Sequence, residues 1–144
     1  MKVVDANVLL YSVNEADPEH ETARAWLDDA LGAAETIGFT WMVLLAFVRL
    51  STKVALFPRP LPTEDAVGIV REWLDQGPSV VVEPTPRHLD VLAGLLVSVG
   101  SGGNLANDAH LAALAIEHDA VVVTYDNDFG RFSGVRWTSP RLSS

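Results

Sequence analysis

The chain reads as an α/β fold, a mainly parallel sheet with helices on both faces. Short β-branched runs such as Val3-Val4 and Ala120-Val121-Val122-Val123-Thr124 lack polar alternation, as strands covered on both faces do. Between them lie stretches whose apolar residues recur at spacings of three and four, the signature of amphipathic helices. Strands separated by helices are joined by right-handed crossovers and therefore run parallel.

Taken in order, a strand at 2–4 ends in Asp5 and is followed by Ala6-Asn7-Val8-Leu9-Leu10-Tyr11. Asn14-Glu15-Ala16-Asp17-Pro18 predicts a turn, with Asp17 as N-cap and Pro18 at the first helical position. The helix that follows runs to about residue 31 through Ala23, Trp26, Leu27, Ala30 and Leu31, and Gly32 stops it. A second strand at 36–39 leads to Thr40 as the cap of a helix over 42–53. That helix is apolar nearly all round until Arg49, as a buried or subunit-interface helix would be.

Three prolines in 57–63 make a loop. Thr63 then caps a helix through about residue 75, with Val67, Val70, Trp73 and Leu74 inward, ended by Gly77-Pro78. A strand at 79–83 precedes a helix over 86–99 capped by Thr85. A flexible glycine loop at 100–103 delivers the chain to another helix, with Asn107 as N-cap and Asp108 in its first turn, where the helix dipole favours negative charge. The 120–124 strand stops at Asp126 and Asp128, 135–137 forms a last edge strand, and the serine-rich end frays.

At 144 residues the chain suits one domain, 1–144, with a proper core. No apolar run reaches the roughly 20 residues of a membrane helix, and the start has no basic region leading into an apolar stretch. With no Cys, a disulfide framework and a thiolate zinc site are both excluded. The expectation is a soluble cytoplasmic protein. Its formal charge of −9, from 19 acids against 10 Lys plus Arg, argues against bulk attraction to nucleic acid. Cations must then act locally: Arg49 and Lys53, four apart on a helix, and Arg131, Arg136 and Arg141 after the second acid pair are the candidates for phosphate.

If the strands at 2–4 and 120–124 are parallel neighbours, Asp5, Asp126 and Asp128 share one sheet edge, where open α/β sheets assemble chemistry, and Asp108 joins them if its helix starts there. Carboxylates so gathered repel one another, and a bound cation or a raised pKa resolves the conflict. An all-oxygen set suits Mg²⁺ or Mn²⁺.

Competing motif readings are weaker. A calcium loop starting at Asp126 would need Gly where Arg131 stands and Glu where Trp137 stands. A haloacid-type phosphatase places its acid pair after the first strand, where this chain has Asp5-Ala6-Asn7, and a phosphoacceptor domain needs a late Lys, whereas none follows Lys53. The glycine loop lacks the Gly-Lys-Ser/Thr ending of a phosphate-binding loop. The four histidines show no metal spacing, His110 and His118 being expected on exposed helix faces, and the four tryptophans are assigned to core packing.

Val4-Asp5-Ala6-Asn7-Val8-Leu9, then Asn104 through Ala115 (Asn-Leu-Ala-Asn-Asp-Ala-His-Leu-Ala-Ala-Leu-Ala), then Val123-Thr124-Tyr125-Asp126-Asn127-Asp128-Phe129 resemble a PIN-domain ribonuclease. Within that family the resemblance is to VapC-type toxins of bacterial toxin-antitoxin pairs, and it spans nearly the whole chain. It implies a PIN-like three-layer α/β/α sandwich with a mainly parallel four- to five-stranded sheet. It further implies a Mg²⁺- or Mn²⁺-dependent endoribonuclease leaving 5′-phosphate and 3′-hydroxyl ends, with Asp5, Asp108, Asp126 and Asp128 as catalytic and metal-holding acids. Asn7, Arg49 and Arg131 are the candidate RNA contacts. A VapB-like antitoxin and self-association, as a homodimer or a hetero-oligomer with that antitoxin, belong to the same implication. One departure stands out: the further acid that PIN nucleases carry ahead of an Arg is replaced, and Ala46 occupies the matching place before Arg49. The alternative is a PIN module that binds RNA or an antitoxin-like partner without cutting.

Overall fold

A computed structural model describes residues 1–54, 56–100 and 103–142. Five strands and six α-helices follow in the order β1 (Lys2–Val4), α1 (Ala6–Val13), α2 (His20–Leu31), β2 (Ile37–Phe39), α3 (Trp41–Ser51), α4 (Thr63–Leu74), β3 (Ser79–Val81), α5 (His88–Val99), α6 (Ala106–Glu117), β4 (Val121–Val123) and β5 (Trp137–Thr138). Short 3₁₀ turns occupy Gly103–Leu105, Asn127–Arg131 and Pro140–Leu142. The expected loop at 100–103 and the frayed end lie partly outside the described residues.

Every strand pairing is parallel, in the order β3-β2-β1-β4-β5. The chain builds outward from β1 to β3, then crosses back to place β4 on the other side of β1. Strand order therefore reverses between β1 and β4, the crevice at which open α/β sheets take their ligands. Helix α1 packs on α2 and α3, and α3 on α4, while α5 packs on α6. Right-handed crossovers put the first four helices on one face of the sheet and the last two on the other, giving an α/β/α sandwich.

The two central strands, β1 and β4, are buried on both faces: Val3, Val4, Val122 and Val123 are fully enclosed. Beside them Phe39 of β2 stacks on Trp73 of α4 at 6.4 Å, and Phe47 of α3 meets the same indole edge-on at 4.7 Å. At Gly38 the sheet leaves no room for a side chain, since an added Cβ would lie 2.6 Å from Val82 Cγ2 and 3.2 Å from Val3 Cγ2. Both neighbours are β-branched and stiff. Gly38→Ala is therefore expected to destabilise the fold by roughly 1–3 kcal/mol, read as a lower urea midpoint at unchanged slope.

Several local expectations are corrected. Residues 6–13, assigned no element from sequence, form α1. Thr40 caps α3 as expected, accepting from Val43 N–H at 3.3 Å. Thr63 is instead the first helical residue of α4 behind Pro62, and its side chain makes no cap bond. Ala66 takes the inward position there while Val67 is 43% exposed. Asp17 closes the preceding turn, accepting from Glu19 N–H at 2.8 Å, and α2 starts only at His20. Asn107 lies inside α6, which begins after a 3₁₀ turn with no side-chain cap. Trp41 and Leu45 of α3 are exposed. Among the described residues, no helix is long and apolar enough to cross a membrane.

Candidate metal centre at the crevice between β1 and β4

Parallel pairing of Val4 with Val123 brings the ends of β1 and β4 level, and Asp5 N–H extends the ladder to Val123 O at 2.9 Å. Asp5 leaves the strand in extended backbone and becomes the N-cap of α1. One carboxylate oxygen accepts from Ala6 N–H at 2.7 Å and the other from the Thr124 hydroxyl at 2.8 Å. Thr124 is completely buried and acts as a hub, accepting in turn from Asn7 Nδ2 at 3.2 Å and Asp126 N–H at 3.0 Å. Asn7 Oδ1 accepts from Tyr125 N–H at 3.1 Å. Asp5 is thus held in one orientation from both sides of the crevice.

Asp126 caps the 3₁₀ turn that follows, its Oδ1 accepting from Asp128 N–H at 2.8 Å. Asp108 enters from the first turn of α6. Its carboxyl is raised from the ordinary 3.8 to about 6, first by burial and then by the negative charges of Asp5, Asp126 and Asp128. Asp5 is also raised; burial outweighs the bonds from Thr124 and Ala6, and Asp126 adds repulsion. Four acids from three separate segments therefore share one electrostatic neighbourhood. Among the described residues they are not closed into a ready metal shell. Donor chemistry fits a hard divalent cation, which would relieve the repulsion that these carboxylates impose on one another.

The raised Asp108 pKa fixes the sign of a pH effect. Between about pH 3.8 and about 6 the folded state binds more protons than the unfolded chain at this group. Its contribution is complete below the lower value and is lost as pH rises through the upper one. Melting temperatures of metal-free protein are expected to fall across that window, and Asp108→Asn is expected to flatten the fall. An unchanged slope in the variant would contradict the assignment.

The remaining candidates are dispersed. Arg49, in the last turn of α3, and Arg131, at the end of the 3₁₀ turn after Asp128, are exposed, and neither has an acidic partner among the described residues. The Asn7 amide is engaged at the β4 end, bonded to Thr124 and Tyr125. Arg136 pairs with Asp119 at 2.7 Å and Arg141 with Glu19 at 2.6 Å, so both cations are already engaged. The Arg141 guanidinium also lies 5.1 Å from the Tyr125 ring centre, and Tyr125 in turn packs on Tyr11. Burial, then the Glu19 charge, pushes the Tyr125 hydroxyl up to about 12. Ala46 is half-buried on α3.

Two groups were missed from sequence. Thr124 carried the available signal, a hydroxyl at the end of a valine run just before an acid. Thr124→Val keeps the volume but removes the bonds that orient Asp5 and Asp126, and is expected to weaken divalent-metal affinity by roughly 10–100-fold with little loss of secondary structure. His110 is half-buried against His88, not exposed; burial and that neighbour lower its pKa. Its seven-residue spacing from Glu117 puts both on one face of α6 and was the legible clue.

Residues 2–135 match the PIN domain. The chain is 60% identical to Ribonuclease VapC37 of Mycobacterium tuberculosis, with 97% of each chain covered. It is 41% identical to Ribonuclease VapC33 of the same species, over 97% of this chain and 98% of that one. Among solved structures, VapBC2 from Rickettsia felis bound to a promoter DNA fragment superposes with a TM-score of 0.69 at 17% identity, covering 96% of this chain and 97% of that one. A sequence match over nearly the whole length, joined to a five-stranded parallel sheet with the acids at its reversal point, shows that the chain belongs to the PIN domain family.

Proposed function

We infer that the protein is an RNA-cleaving endonuclease, the toxin component of a VapBC-type toxin-antitoxin pair, acting through Mg²⁺ or Mn²⁺ held by Asp5, Asp108, Asp126 and Asp128. The observation that carries the reading is the convergence of those acids, expressed in the raised pKa of Asp108. The 60% identity to a ribonuclease supports the reaction class. When bound, such an ion supplies a water made nucleophilic near neutral pH and a counter-charge for phosphate oxygens.

The protein's own residues divide the remaining work. Asp5 is the rigid ligand, fixed by Ala6 N–H and the Thr124 hydroxyl. Asp126 commits one oxygen to the 3₁₀ turn and keeps the other for the centre. Asp108 is the adjustable ligand: it carries the least stable charge in the cluster and gains the most from a cation. Arg49 and Arg131, exposed and without ion pairs among the described residues, hold the RNA backbone without reading bases.

A VapB-like antitoxin is the cognate partner; among the structural neighbours are VapBC complexes. We place the pair in the cytoplasm, with the toxin self-associating in the complex. Induced expression of the wild type and of Asp5→Asn, followed by mapping of RNA ends, tests the reading. Discrete new 5′-phosphate ends only in the wild type support it. Equal cleavage by both forms refutes it, and stable RNA binding without cleavage by the wild type establishes the binding-only alternative suggested by Ala46.

A further inference from the structure

Away from the acid cluster, α5 and α6 meet through a second polar assembly. Glu117, at the end of α6, has a fully enclosed side chain. Its Oε1 accepts from the backbone N–H of Thr85 at 2.9 Å and from the Thr85 hydroxyl at 2.6 Å. Its Oε2 faces His88 Nδ1 at 2.5 Å. The opposite nitrogen of that ring, His88 Nε2, faces His110 Nδ1 at 2.8 Å, the two rings standing at 82° to each other.

A carboxylate gripped in this way fixes the tautomer of His88. Nδ1 carries the hydrogen given to Glu117, and Nε2 points toward the neighbouring imidazole. Two imidazole nitrogens set end to end, one backed by a buried carboxylate, form the inner half of a carboxylate-histidine-metal unit. We propose that His88 and His110 form a transition-metal site of the Zn²⁺ class that clasps α5 to α6. Imidazole donors suit zinc, nickel and copper and do not suit magnesium, so the site is chemically separate from the carboxylate centre.

In metal-free protein one proton lies between the two facing nitrogens. An entering divalent ion takes its place as His110 shifts to the tautomer protonated at Nε2, so that each facing nitrogen gives a lone pair, both rings stay neutral and no net proton is released. Metal–nitrogen bonds of about 2.0–2.1 Å require the nitrogens to part by roughly half an ångström. The protein supplies two ligands, in keeping with the absence of any three-residue metal cluster among the described residues. His88 is 15% exposed, which leaves access for water to fill the other positions.

The test is calorimetric titration of metal-stripped, full-length protein with Zn²⁺ in saturating Mg²⁺, paired with long-range ¹H–¹⁵N spectra of the histidine rings. One Zn²⁺ per chain is expected, with ring shifts at His88 Nε2 and His110 Nδ1. Affinity is expected to fall at least tenfold in His110→Ala and to fall in Glu117→Gln, and to hold in Asp5→Asn. If His110→Ala fails to fold, the wild-type ring shifts decide. No saturable Zn²⁺ uptake, unmoved ring nitrogens at His88 and His110, uptake unchanged in folded His110→Ala, or loss confined to Asp5→Asn each overturns the proposal.

Discussion

Asp5→Asn is expected to lower RNA cleavage by at least about 10³-fold, or about 4 kcal/mol of barrier, because in the proposed mechanism the metal's charge stabilisation is worth several kcal/mol and Asp5 is its one rigid ligand. The amide still accepts from Ala6 N–H, so α1 keeps its cap, but its NH₂ group cannot accept from the buried Thr124 hydroxyl. A melting temperature a few degrees from that of the wild type is therefore consistent with a lesion confined to the centre. Asp108→Asn should lose activity as fully while gaining stability in the absence of metal, since it removes the charge that the other three acids oppose. Opposite signs on stability and activity separate a ligand from a packing residue. A variant that lost both together at this position would count against the metal role.

Phe47→Ala should produce the largest loss of stability of any single change considered, roughly 3–5 kcal/mol, with a fall in melting temperature of roughly 10 °C. Phe47 is fully enclosed and touches Trp73 edge-on, while Trp73 stacks on Phe39. Removing the ring opens a cavity where β2, α3 and α4 meet, and none of the three can close it without giving up another aromatic contact. Phe47→Leu, which fills most of the volume, should cost distinctly less. A loss below about 1 kcal/mol for the alanine variant would mean that the three elements collapse freely, against the close packing of protein interiors.

The parts of the fold that were readable in sequence are those fixed by burial on two faces. Val3-Val4 and Val121-Val122-Val123 announce β1 and β4 because nothing polar interrupts them, and the acids that end each run mark the sheet edge. Helix α1 was invisible for the same reason: eight residues, mostly apolar, carry too little periodicity to distinguish a helix from a continuing buried strand. Caps were legible only where no competing contact intervened. Thr40 enters its helix in extended backbone and caps it, whereas Pro62 pre-empts that geometry ahead of Thr63, and Thr85, whose oxygen accepts from Arg87 N–H at 3.2 Å while its hydrogen goes to Glu117, closes a turn ahead of α5, which starts only at His88. The convergence of the acids was inferable from the alternation of strands and helices. The seven-residue spacing of His110 and Glu117 marks one face of α6, but His88 meets it only through the register between α5 and α6, which no local pattern encodes.

The bond between Thr124 and Asp5 joins residues 119 positions apart, so Asp5 is made long before the hydroxyl that orients it. A nascent chain that has exposed β1 but not β4 holds Asp5 without its hydroxyl partner and without Asp126 and Asp128. The four-acid cluster therefore cannot assemble until β4 and the turn after it have been made.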